Sequence, residues 1–238
     1  MARPFRATRK GYSTELDYAE AQLLVMLARD IDQLLAGREA EHVDAGLKAA
    51  SGTTDAASRK ASNTVEEPTD VTADGADRWW EELGLSNDIA DAGASLLGGS
   101  ATLDDPHDPA LLAILPRSIH TDDAVGALDG ADAAMRARTE PGLIARQREG
   151  LKWLARAVMK DPFLIPHEKA GQVASTLNVM RLVLAARLGI EDQQDADRVQ
   201  EAMEQGVSDD PDQGMVMLYG FTSWLQDSLM HALLRGKA

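Results

Sequence analysis

Apolar residues recur at helical spacing along most of this chain, and its first stretch is the exception. Between residues 4 and 16, Phe5 and Ala7 alternate with polar neighbours, Lys10-Gly11 supplies a turn, and Tyr12, Thr14 and Leu16 alternate again. Period two around a Gly-containing turn predicts a small β-hairpin. Asp17 and Glu20 then have the spacing of a capping box, in which each side chain satisfies an orphan amide of the first helical turn. A helix is predicted to about Ala36, with Leu23, Leu27, Ile31, Leu34 and Leu35 on one face and Gly37 as its stop.

The pattern then lapses. Residues 50–77 contain no Leu, Ile, Met or aromatic side chain. Such a segment buries too little surface to offset its ordering entropy, which predicts a disordered insertion. It is not a domain boundary, because the single helix before it could not fold alone. Weak helical signals resume at Arg78-Trp79-Trp80 and pass through Ile89 and Leu96-Leu97.

Asp108-Pro109 reads as an N-cap followed by proline at the first helical position, opening a short helix that Pro116 stops. Thr121 caps another helix, weakened by Gly126 and Gly130, and Thr139 caps a stronger one carrying Leu143, Leu151, Leu154 and Val158. From about His167, the residues Val173, Leu177, Met180, Leu184 and Leu188 follow at intervals of 4, 3, 4 and 4. Gly189 and Ile190 then stand where a Schellman cap places them. A shorter amphipathic helix carries Ala196, Val199 and Met203.

Asp210-Pro211 opens the last helix, where Leu218, Leu225 and Ala232 repeat at seven with Thr222 and Leu229 between them. Met217, Phe221, Trp224 and Leu233 widen its apolar face, which places it at the centre of a bundle. The expected fold is mainly α: one helical domain over residues 1–238, with an N-terminal β-hairpin and the disordered insertion at 50–77.

Composition agrees and removes several chemistries. Aromatics are 4% of the 238 residues, so the core is built from Leu, Ala, Val, Ile and Met, a choice that favours helices over sheets. The chain has no cysteine, which excludes disulfides, thiolate metal sites and a Cys nucleophile. No apolar run approaches the roughly 20 residues of a membrane span. The start, MARPFRATRKGY, lacks the apolar core of a signal peptide, so the expected location is cytoplasmic.

The formal charge of −15 opposes nucleic acid at long range, where Lys and Arg on phosphates dominate binding. RLVLAARLGI followed by EDQQDADR has the outline of a helix-turn-helix, with Gly189 at the corner. Its second helix opens on Glu191, Asp192, Asp195 and Asp197, however. Acids suit a helix N-terminus through the macrodipole but repel DNA. The stretch therefore reads as a capped core helix. Only the N-terminal arm, Arg3, Arg6, Arg9 and Lys10, gathers positive charge without interleaved acids. An arm of this kind is the candidate nucleic-acid contact.

Enzyme signatures are missing: there is no G-x-S-x-G, P-loop, G-x-G-x-x-G or kinase set. His167-Glu168 begins like H-E-x-x-H, but Gly171 stands where the second zinc ligand would be. The acidic stretches lack EF-hand spacing. No catalytic residue, metal ligand or cofactor is expected. Arg181 and Arg187 remain, six apart in an otherwise apolar helix with Asn178 one turn before Arg181. Buried arginine needs a carboxylate, so these three residues form either a structural ion pair or a docking site for an acidic partner.

The block TLNVMRLVLAARLGIEDQQDAD, followed by YGFTSWLQDSLMHALL, resembles the actinobacterial family known as domain of unknown function 2017. RPFRATRKGYSTELDYAEAQLLVML, DPALLAILPRSIHTDDAVGA and MRARTEPGLIARQREGL agree in order and spacing. The resemblance implies a cytoplasmic, all-helical protein, with some members described as transcriptional regulators linked to oxidative stress. It brings no catalytic residues, and a thiol-based sensor cannot operate in a chain without cysteine. The expected function is a non-enzymatic regulator acting by protein–protein contact. The alternatives are a DNA-binding regulator using the basic arm and an enzyme with a helical-bundle site. The apolar last helix is open to burial within the monomer or in a homodimer.

Overall fold

The computed structural model describes residues 2–59, 105–115, 127–205 and 211–235. The chain is mainly helical, with a small antiparallel sheet at its N-terminal end. It divides into two compact units. The first comprises Met1–Arg38, Pro106–Pro116 and Gly142–Ala238, and the second Glu39–Asp105 and Arg117–Pro141.

Strands β1 (Arg6–Thr8) and β2 (Gly11–Thr14) form the expected hairpin. A third strand, β3 (Phe163–Ile165), pairs antiparallel with β2, so that Tyr12 faces Ile165 and Thr14 faces Phe163. The sequence reading missed it because three residues carry no usable period. Its signal is a short apolar run bracketed by Pro162 and Pro166. Gly11 has φ +139°, and a Cβ there would collide with the carbonyl oxygen of Ile165. Only glycine lets β3 approach this closely.

Helix α1 (Tyr18–Arg59) opens on the predicted capping box: Asp17 Oδ1 accepts from the Glu20 amide and Glu20 Oε2 from the Asp17 amide, both at 2.9 Å. Gly37 does not end it. A mid-helix glycine costs only about 1 kcal/mol, and helix-forming Leu34, Leu35 and Ala36 precede it while Arg38, Glu39, Ala40 and Glu41 follow. Residues 50–59, assigned by composition to the insertion, belong to this helix. Residues 60–77 and the signals at Trp79-Trp80, Ile89, Leu96-Leu97 and Thr121 lie outside the described residues. The buried face is Leu24, Ala28, Ile31 and Leu35 with Leu27, whereas Leu23 is exposed.

Helix α2 (Pro109–Ile114) is capped by Asp108, whose Oδ1 accepts from the Ala110 amide at 2.8 Å. Helix α3 (Ala127–Ala157) corrects a second boundary, running through Gly130, Thr139 and Pro141 without interruption. Thr139 is no cap: its hydroxyl donates to the Met135 carbonyl one turn back. The apolar register is Ile144, Leu151, Leu154 and Val158, and Leu143 falls one residue outside it and is exposed.

A 3-10 turn at His167–Lys169 leads into α4 (Ala170–Arg187), then α5 (Gln193–Gln205) and α6 (Pro211–Arg235). The predicted Schellman stop is present. The Ile190 amide donates to the Ala185 carbonyl at 3.0 Å, the Gly189 amide to Ala186 at 3.2 Å, and Gly189 has φ +66°.

The core of the first unit joins Leu24, Ile31 and Leu35 of α1, Leu151 and Leu154 of α3, Leu177 and Met180 of α4, and Leu225 and Leu229 of α6. Phe5 stacks edge-on against Phe163, which ties the sheet into that core. Two close approaches fix helix spacing: a Cβ at Gly150 would overlap the Thr176 hydroxyl, and one at Gly220 the Met203 sulfur. Met217 and Trp224, expected to widen the apolar face of α6, are instead partly exposed.

Candidate functional site

The two arginines of α4 have different fates. Arg187 Nη2 donates to Asp108 Oδ2 at 2.6 Å, the same carboxylate whose other oxygen caps α2. This is the structural ion pair, and at its exposure such a pair contributes under about 1 kcal/mol. Arg181 is half-buried and makes no ion pair among the described residues. Its Nη2 donates to Asn178 Oδ1 at 3.1 Å, and Gln226 Nε2 of α6 reaches the same oxygen at 3.4 Å.

Arg181 opens onto a cleft of about 600 Å³ that Asp197 and Gln200 of α5 and Tyr219 and Ser223 of α6 also line. Ser223 Oγ, on this cleft, and Gln226 Oε1, on the next turn of α6, are buried without a hydrogen-bond partner among the described residues. A guanidinium held by an amide oxygen keeps most of its donors available, and a carboxylate is the group that rewards them best. Asn178 and Arg181 are thus together, and Arg187 stands apart at Asp108.

The basic arm is also divided. Arg3 pairs with Glu15 at 2.9 Å on the surface, and Arg9 and Lys10 are exposed at the hairpin turn. Arg6 is exposed on β1 and lines a second cleft of about 600 Å³, shared with Trp224, Asp227, Ser228, His231 and Arg235 of α6. No ion pair engages Arg6 or Arg235 among the described residues.

The acidic stretch after Gly189 is a capping device. Asp192 Oδ1 accepts from the Asp195 amide at 2.9 Å, and Asp195 Oδ2 accepts from the amides of Glu191 and Asp192. The Glu191 amide is the main cause that holds the Asp195 carboxyl below the usual carboxylate range. The Glu20 amide lowers Asp17 in the same way at the start of α1.

Sequence reasoning missed a buried polar cluster in the second unit. Arg136 is 2% exposed; its Nη1 bonds to Asp105, and its Nε lies 3.3 Å from Glu140 Oε2. The other oxygen of Glu140 lies 3.2 Å from His42 Nε2, and Asp132 is buried one turn before Arg136. The available signal was the four-residue spacing of Asp132, Arg136 and Glu140, which places all three on one helix face. That spacing usually marks a solvated ladder, so burial was not readable from it. Arg136 Nη2 finds no hydrogen-bond partner among the described residues, and no group of three or more His, Asp or Glu there could hold a metal ion.

No described helix is long and apolar enough to cross a membrane. A search of curated proteins and of solved structures found no match to the chain. A family model described as a domain of unknown function (DUF2017) matches residues 2–233, and the chain belongs to that family.

Proposed function

We propose that this member of the family is a non-enzymatic regulatory protein that acts by contact with another protein, in transcription control linked to stress. The observation that carries the reading is the Arg181 cleft. Arg187 of the same helix is satisfied within the fold by Asp108, whereas Arg181 is oriented by Asn178 and meets no carboxylate among the described residues. A desolvated arginine at the edge of a polar cleft is a common anchor for an acidic side chain of a partner. Asp197, on the same cleft, would repel a partner whose carboxylate docked out of register.

A photo-crosslinking residue at Gln200, installed in the native host, tests the reading. The expected result is one reproducible crosslinked partner, lost in Arg181→Glu and kept in Arg187→Ala. No crosslinked protein, or a partner indifferent to Arg181→Glu, counts against it. Turnover of a substrate by the purified chain would argue for an enzyme instead.

A further inference from the structure

We infer that the free edge of β1 is a docking strand for an extended acidic segment of a partner protein. The sheet order is β1-β2-β3, so among the described residues β1 has a strand neighbour on one side only, with α6 approaching the other side at Phe5. Pro4, Phe5, Arg6 and Ala7 all line the cleft beside α6. Side chains alternate along a strand, so four consecutive residues can line one cavity only if the backbone itself forms its wall.

The hydrogen bonds locate the open groups. The Phe5 amide donates to Ser228 Oγ of α6 at 2.7 Å, so it points away from β2. In an antiparallel pair the direction of the main-chain groups alternates, so the N–H and C=O of Ala7 point away from β2 as well. Ala7 is exposed, and among the described residues no side chain caps it as Ser228 caps Phe5. An edge of this kind accepts an added strand through main-chain bonds, and the flanking side chains choose the sequence.

The flanking charge selects acids. Arg6 and Arg235 border the cleft without ion pairs among the described residues, and Arg9 and Lys10 continue the positive edge at the turn. Among the described residues Asp227 is the one carboxylate lining the cleft, and it lies 3.1 Å from His231. The same arginines would repel a basic or cationic strand, a device that also guards edges against indiscriminate pairing. Trp224, stacked on Phe221 and 39% exposed, offers an apolar wall to an alternate side chain of the incoming segment.

This inference rests on the protein-contact reading but uses a different surface, so the two fail separately. The test is a synthetic peptide of alternating Glu and Val, added to the isotopically labelled full chain, with a Lys-Val peptide as control. The expected result is slowed exchange of the Ala7 amide with the Glu-Val peptide only. Affinity should fall at least tenfold in Arg6→Glu and Arg235→Glu, with the preference reversed in the double variant. An Ala7 amide unchanged by the peptide, or binding indifferent to both substitutions, overturns the docking strand while the crosslink at Gln200 still stands or falls alone. Displacement of bound peptide by a single-stranded oligonucleotide of equal charge would overturn it in favour of a nucleic-acid surface.

Discussion

Among the described residues, the two units bury different things. In the first, the least exposed side chains are Leu24, Leu35, Ile144, Leu154, Leu177 and Leu225, and the buried polar groups described are hydroxyls such as Thr222, which bonds back to the Leu218 carbonyl. Arg38, at the unit's edge, is the one buried charge among that unit's described residues. In the second, the described buried side chains are Asp132, Arg136 and Glu140. One interior is held by removal of apolar surface from water, which needs no direction. The described part of the other buries charges that must find partners, because an ion in low dielectric is costly alone. A non-directional interior tolerates small errors of fit, and a directional one fails when a single member is removed.

Arg136 is where that difference is sharpest. Arg136→Met leaves Glu140 and Asp105 without their guanidinium, and the expected loss is about 3–5 kcal/mol in chemical unfolding. Arg136→Met with Glu140→Leu should recover part of it, because the more deeply buried of the two carboxylates is then gone, while Asp105 remains at the more exposed end. Exchange of the amides of residues 132–140 reports on the second unit directly. A single-variant loss below about 1 kcal/mol would mean that the cluster behaves like a solvated ladder, and the contrast would collapse.

Leu177→Ala is the matching removal in the first unit. Leu177 is fully buried on α4, and the methyl groups removed together with the cavity left behind predict a loss of about 3 kcal/mol. The neighbouring substitution Leu177→Met should cost under about 1.5 kcal/mol, since volume is nearly kept. If Leu177→Met proved as damaging as Leu177→Ala, the first interior would be as intolerant of small errors as the second.

These two positions also explain how far the fold could be read from sequence. Leu177 belongs to the series from Val173 to Leu188, whose helical period is legible because burial and hydrophobicity coincide there. The hairpin, the Asp17–Glu20 capping box, the Asp108 cap and the Schellman stop were legible for the same reason: each is a local arrangement fixed by two or three residues. Arg136 was not legible, because its spacing to Asp132 and Glu140 is identical in a buried cluster and on a wet surface. Boundaries failed where one residue was trusted against its neighbours. Gly37 and Thr139 were outweighed by the helix formers around them, and β3 by its own brevity. At the candidate site, the identity of Arg181 and Asn178 was readable but their separation from Arg187 was not, since Asp108 is remote in sequence and adjacent only after folding.

The smallest effect is expected at Asp195, a carboxylate as well partnered as Glu140 but only half-buried at the protein surface. Its folded pKa is lowered, first by the Glu191 amide, so its ionised form is favoured by folding. The stabilisation is therefore fully present above the unfolded carboxylate value near pH ~4 and is lost as pH falls through the lower folded value. Asp195→Asn should be slightly less stable than the parent at pH 7, and the gap should close on acidification below about pH 4. Salt should narrow the gap as well, because exposed charges are screened. At pH 7 the Arg136→Met deficit, sheltered from solvent, should hardly respond to salt. A salt-sensitive Arg136→Met deficit paired with a salt-insensitive Asp195→Asn deficit would reverse the assignment of which acids in this chain are buried by design and which are wet.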